Sequence, residues 1–287
     1  MEVVVEPGGR STESRTDVLI IGSGAGGGPL ARSLARTGLR VLVLEKGPRF
    51  ERPDYTHEEG GVGPEDFTPS PEEDPHTVVT RKTPEPRRTN LGWIASCVGG
   101  GTSHMGAYLY RFHPDDFRMG SRFGDRGELG EALVDWPYGY DELEPYYATA
   151  EWEVGVSGGE PAGGSNPGEG RRSRPYPMPP LTPHPIGADL DAACRRLGLH
   201  PFPTPRSINS REYAGRPGCA YCLSCAGYGC PVGARGSTQE ALLPRAEATG
   251  RCTVRSRAMV REILVGRDGR ARGCVWIDEE GQEHEAR

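Results

Sequence analysis

Three groups of residues have types and spacings that could do chemistry. Gly22, Gly24 and Gly27 stand as G-x-G-x-x-G, with Ser23 and Gly26 in the same stretch. In such a pattern the first glycine allows a tight turn, the second lets the backbone approach a pyrophosphate, and the third lets a helix pack closely on a strand. Cys97 to Met105 reads CVGGGTSHM, with Gly99, Gly100 and Gly101 in succession, then Thr102 and His104. A run of this kind is either a flexible linker or backbone pressed against a ligand. Cys219, Cys222, Cys225 and Cys230 form C-x2-C-x2-C-x4-C before Pro231, one residue longer in the last gap than a bacterial ferredoxin run. Short gaps let thiolates converge on one inorganic centre with little loop-closure entropy. An iron–sulfur cluster, a structural zinc ion, disulfides and a plain loop all remain open for them.

The elements that must position the first group are legible beside it. Asp17 to Ile21 is a continuous aliphatic run, as in a strand covered on both faces. Leu30, Ala31, Leu34 and Ala35 recur at helical spacing, Pro29 falls in the first turn, and Gly38 sits where a helix ends. Arg40 to Glu45 is a second strand, so the segment predicts a β-α-β unit. The free amides and positive dipole end of its helix would face phosphates. Glu45, about twenty residues beyond the glycines, fits ribose hydroxyls and would repel a 2'-phosphate, which argues against NADP. The fingerprint alone leaves NAD and FAD open.

Elsewhere the pattern is looser. Residues 1–16 read as a flexible tail, and 51–88 as a polar surface excursion without usable period. A turn from Asp135 leads into an amphipathic helix, with Asp141 and Glu144 spaced as a capping box. Residues 157–185 read as a linker, and Ile186 to Gly198 as a helix. A short helical stretch follows at Ser237 to Thr249. CTVRSRAMV, REILVGRDG and RARGCVWIDEEG are strand-like, with a hairpin turn at Asp268-Gly269.

Composition narrows the function classes. The 287 residues carry a net charge of -6 with acids and bases interspersed, so nothing favours nucleic acid or anionic lipid as a partner. No apolar run reaches membrane-spanning length, and neither a secretory signal nor a twin arginine opens the sequence, so a cytoplasmic setting is expected. Forty-two glycines and 27 prolines imply long irregular loops.

Taken together, these motifs resemble the glucose-methanol-choline (GMC) oxidoreductases. VLIIGSGAGGGPLARSLA and VLVLEKG, the latter containing Lys46, are similar to the family's amino-terminal FAD unit. CVGGGTSHM resembles its second cofactor-contacting segment, DWPYGYDELEPYY its W-P-x-x-Y-x-x-L-x-P-Y-Y stretch, and ARGSTQEALLPRAEATGRCTVRSRAMVREI its later adenine-side segment. The resemblance covers most of residues 17–280. It implies an α/β, Rossmann-like FAD-binding domain with long insertions at about 51–90 and 112–248 and an incomplete carboxyl-terminal half. It places the glycines of the second run under the flavin and pyrophosphate, and Val260 where backbone meets the adenine. His104 departs from the commoner asparagine. In some branches a histidine here bonds covalently to the flavin, and the alternative is a hydrogen-bonded neighbour of the ring.

The cysteine-rich loop resembles the branch of gluconate-dehydrogenase-like flavoprotein subunits, where it would hold an iron–sulfur cluster and pass electrons to a carrier protein. The implied activity is oxidation of a CH–OH group in an alcohol, sugar or sugar acid by hydride transfer to flavin N5. The family's catalytic histidine pair lies beyond residue 287. The chain is therefore expected to be an amino-terminal portion, a non-catalytic FAD-binding fragment, or half of a split enzyme whose complementary half supplies the base. The strand that completes the FAD sheet would be missing with it, leaving an open edge. A nicotinamide-dependent oxidoreductase with a metal-binding loop is the remaining alternative.

Overall fold

A computed structural model describes residues 3–5, 11–13, 16–55, 63–70, 72, 74–89, 95–125, 132–159, 166, 168–222 and 225–287. In chain order its main elements are β1 (Val3–Val5), β2 (Ser11–Glu13), β3 (Val18–Ile21), α1 (Gly27–Ala35), β4 (Val41–Leu44), β5 (His76–Thr80), β6 (Thr83–Thr89), α2 (Tyr140–Val154), α3 (Pro185–Arg196), α4 (Leu243–Glu247), β7 (Cys252–Arg255), β8 (Met259–Val265), β9 (Ala271–Ile277) and β10 (Glu283–Ala286). The chain divides into two compact units, one of 1–106, 221–233 and 237–287, the other of 107–220 and 234–236.

The first unit is built around β4. Its four residues, VLVL, are all buried, because successive side chains of a strand point to opposite faces and here both faces are covered. Val41 and Val43 pack with Ile20, Ala31, Ala35, Leu243 and Ala246 against α1 and α4. Leu42 and Leu44 pack on the other side with Ala258, just before β8, and with Cys274 and Trp276 of β9. The parallel sheet runs β3-β4-β7, with Val18 opposite Val41 and Val41 opposite Cys252. The second sheet runs β1-β2-β10-β9-β8. Helices, parallel sheet and mixed sheet thus form three layers sharing two cores. β3 lies at one edge of its sheet, and among the described residues no strand pairs with its outer side. Ile21 is half exposed there.

Several expectations are corrected. The described parts of the tail are not loose: β2 pairs parallel with β10 and antiparallel with β1. The 51–88 stretch is more than a surface excursion, because Tyr55 and Phe67 are buried with Cys97, while the β5–β6 hairpin beyond them lies largely exposed. Aromatic side chains dispersed in a polar segment carry no period, so burial could not be read from it. The span expected as a single insertion at about 112–248 is split between the units, since α4 returns to pack on α1.

In the second unit, α2 starts two residues earlier than the Asp141–Glu144 capping box requires. Gly139 is its N-cap, and Glu142 accepts the Gly139 N–H at 3.0 Å. Glu144 turns inward instead, to Arg111. Asn209 and Arg216, both buried, hold the loops of this unit by donating to the carbonyls of Pro217, Ala234, Arg235 and Val154 at 2.6 to 3.2 Å. The residues around the hairpin turn at Asp268-Gly269 join β8 to β9 as expected. Gly198, just beyond α3, takes the left-handed conformation anticipated from its position.

Candidate functional site

The site is where the two glycine runs meet, within the first unit. Gly22 follows β3 at φ +88°, a conformation that favours glycine. A Cβ on Gly27 would lie 1.9 Å from the Gly22 carbonyl oxygen, so its absence lets α1 pack on the strand. Gly24 has neither reason: a Cβ there would meet nothing closer than Gly100 at 3.8 Å. Gly26 and Gly101 are exposed, and a Cβ on either would meet nothing within 4 Å. These three glycines have no packing role inside the chain. Their bare backbone leaves room beside the amino end of α1, which has no acidic residue in its first turn.

The second run does not hang as a linker. Gly99 and Gly100 take positive φ, and Gly100–Ser103 closes into a 3-10 turn. Hydrogen bonds then clamp this turn to the first run. Glu45 Oε2 accepts from the Ser23 N–H at 2.9 Å and from the Ser23 hydroxyl at 2.7 Å, and Ser23 Oγ accepts from the Gly99 N–H at 2.9 Å. Thr238 adds a second clamp. Its hydroxyl donates to the Ser23 carbonyl at 2.8 Å, and its N–H donates to Thr102 Oγ1 at 3.0 Å. A Cβ on Gly28 would come within 2.6 Å of the Thr238 side chain, so α1 and the Thr238–Leu242 π-helix are in close contact. Single π-turns of this kind recur at functional sites.

Sequence reasoning missed Thr238. The signal was present, because Ser237 and Glu240 stand as S-x-x-E, and Ser237 Oγ accepts the Glu240 N–H at 3.2 Å. Gln239, next along, is buried and lies against Gly99.

The other expected residues fall as follows. The Glu45 carboxylate is buried and engaged by Ser23 and, through Oε1, by the Gly47 N–H at 3.1 Å. It therefore organises the loop as well as standing near its mouth. Lys46 is paired with Asp74. Val260 is half-buried at the start of β8, packed on the Leu42 and Leu44 core, and the Ala258 N–H donates to the Glu45 carbonyl at 2.9 Å. The beginning of β8 and the end of β4 thereby form one wall. His104 is buried, its ring stacked on Phe67 at 5.2 Å between centroids, while its carbonyl accepts from the Gly227 N–H at 2.8 Å. Met105 follows, half-buried. Burial pushes the Cys97 thiol beneath this turn up to about 12, so it stays protonated at neutral pH.

The cysteine run does not show the convergence that its spacing suggested. None of the eight cysteines is joined in a disulfide, and among the described residues no group of three histidine, cysteine or acidic side chains is placed to hold a metal ion. Cys219 belongs to the second unit, while Cys222, Cys225 and Cys230 belong to the first. Spacing sets only how near the thiols can come. Side-chain direction decides whether they meet. No helix among the described residues is long and apolar enough to cross a membrane.

Comparison with known proteins follows the same lines. A family model described as GMC oxidoreductase matches residues 1–287. The 6'''-hydroxyparomomycin C oxidase of Streptomyces lividus is 33% identical over 289 residues, covering 99% of this chain and 48% of that protein. The fructose dehydrogenase large subunit of Gluconobacter japonicus is 36% identical over 234 residues, covering 76% and 41% respectively. The chain thus spans about half the length of the curated relatives it matches. An FAD-dependent oxidoreductase from Chaetomium thermophilum superposes with a TM-score of 0.54 at 19% identity, over 93% of this chain and 42% of that one, which shows a shared fold.

Proposed function

The chain belongs to the GMC oxidoreductase family, and from that premise we propose that it forms the FAD-holding portion of an enzyme that oxidises a CH–OH group of an alcohol, sugar or sugar acid. Its fold is the Rossmann-like α/β fold of the family. The observation that carries the reading is the apposition of Gly24 and Gly100 beside the start of α1. Two backbones meet there with no side chain between them, and the end of a helix supplies unpaired amides and a positive dipole.

The fit extends along the wall. Gly22, Ser23, Gly24, Gly26 and Gly27 would cradle the pyrophosphate. Glu45, whose Oε1 accepts the Gly47 N–H among the described residues, keeps acceptor capacity for a ribose hydroxyl. Val260 would border the adenine. Gly99, Gly100, Gly101, Thr102, His104 and Met105 would line the flavin side, with Lys46 at the rim. FAD supplies the hydride acceptor for the carbinol carbon. The chain's own part is to bind and orient it and to exclude water with the Phe67, Tyr55 and Phe50 aromatics packed behind His104.

The names of the relatives favour sugars and sugar derivatives as substrates. A protein electron acceptor or a complementary carboxyl-terminal portion would complete the reaction. The arrangement of the cysteines gives an iron–sulfur cluster no support, and iron and acid-labile sulfide analysis is its check.

The reading is tested by flavin fluorescence titration. The unmodified chain should bind FAD, and Gly24→Val should weaken binding by ten-fold or more, about 1.4 kcal/mol, with the circular dichroism spectrum unchanged. Equal binding by both would remove the cradle from the argument. Covalent attachment through His104 has a separate readout: after acid precipitation of the FAD-loaded protein, the yellow colour should stay in the pellet. Colour in the supernatant would leave His104 as a neighbour of the ring.

A further inference from the structure

The second unit contains a cavity that the flavin reading does not use. Its volume is about 210 Å³, below the roughly 300–1,000 Å³ of most small-molecule sites. It has room for one ring rather than a chain of them. One side is aromatic: Tyr110 and Phe202 meet edge to face with centroids 6.5 Å apart, and Tyr176 stands among the lining residues. The other side is polar, with Asn166, Glu169 and Arg172.

That polar side is held in place. The Arg172 guanidinium stacks on the Tyr176 ring at 3.7 Å and pairs with Glu169 and Glu151. Its Nε is buried with no partner among the described residues. The Tyr176 hydroxyl donates to Glu169 at 3.1 Å. Burial lifts that phenol well above its usual pKa, so it remains a neutral donor. Behind them Arg111, also on the cavity wall, is fixed by Glu151 at 2.8 Å and Glu144 at 3.0 Å.

The geometry points to a binding site for a single sugar ring in this cavity, seated on Tyr110 and Phe202 and held at its hydroxyls by Glu169, Asn166 and Arg172. A hexose offers both kinds of surface, apolar C–H groups on a ring face and hydroxyls around its edge. Each hydroxyl both donates and accepts, which matches a carboxylate acceptor, guanidinium donors and an amide that does both. Planar polar groups locked by stacking and ion pairs lose little freedom when they bind. A purely apolar ring would leave the Glu169 and Arg172 edges desolvated without new partners.

Saturation-transfer NMR on the full chain tests this without any flavin, so its outcome is separable from that of the FAD reading. The probes are D-glucose, D-galactose and D-glucosamine, with cyclohexanol as a ring that lacks the hydroxyl pattern. At least one hexose should receive saturation at its ring C–H groups. Its apparent Kd should rise roughly ten-fold in Tyr110→Ala, which removes a half-exposed side chain, and in Glu169→Gln, which keeps its shape. No transfer to any hexose, transfer unchanged by both substitutions, or equal binding of cyclohexanol would each overturn the assignment.

Discussion

Arg111 shows how much of this protein rests on single buried charges. Its side chain is 1% exposed, and it donates to Glu144, Glu151 and the Tyr140 hydroxyl. Removing Arg111 takes the counter-ion from Glu144 and leaves Glu151 with Arg172 alone, in a poor solvent for charge. Arg111→Ala should therefore cost about 3–5 kcal/mol, measured as a fall in urea midpoint, whereas an exposed arginine such as Arg257 should cost little on substitution. Burial works against the Glu144 carboxylate, yet the Ser173 N–H and hydroxyl and the Arg111 guanidinium outweigh it and hold its pKa down to about 2. A carboxylate depressed in the folded state stabilises above its unfolded value of 4.5 and loses that contribution as pH falls toward 2. Stability should drop across that window, and Glu144→Gln should flatten the drop. None of this was visible beforehand, because Glu144 stood at capping spacing and Arg111 looked like one more arginine. Histidines do similar local work: His113 and His184 cap turns through Nδ1, and His284 pairs with Asp278 at 2.6 Å.

Among the elements, β4 and the two glycine turns were the most legible. A continuous apolar run between turns needs both faces covered, and the two cores supply that. Leu42, with no exposure, faces the second core. Leu42→Ala should cost about 2–5 kcal/mol by chemical denaturation, because Cys274 and Trp276 on the opposing sheet cannot collapse into the space. A cost under about 1 kcal/mol, the range of well-tolerated repacking, would mean the layers are looser than drawn. The helical stretch after Ser237 was expected in outline only. Its first five residues form a π-helix, and that local widening seats the Thr238 hydroxyl against the Ser23 carbonyl. Periodicity cannot distinguish one extra residue in a turn, so neither the widening nor the clamp could be foreseen.

For the molecule as a whole, the two units carry separate features: two apposed glycine runs in one and a small polar-aromatic cavity in the other. FAD at about 100 times its Kd should add about 2.7 kcal/mol to the stability of the unit that binds it. Hydrogen exchange should slow at residues 22–28 and 98–104. Unchanged exchange at both segments would place the cofactor elsewhere. The sequence by itself determined the β-α-β unit, the glycine fingerprint and the family, because these depend on local conformation and short spacings that a chain cannot hide. Tertiary structure alone decided that Gly24 faces Gly100, that Thr238 clamps both runs, that Tyr55 and Phe67 leave a polar stretch for the core, and that four closely spaced cysteines are divided between two units. Those outcomes depend on side-chain direction and on partners as far as 215 residues away, and no local pattern encodes either.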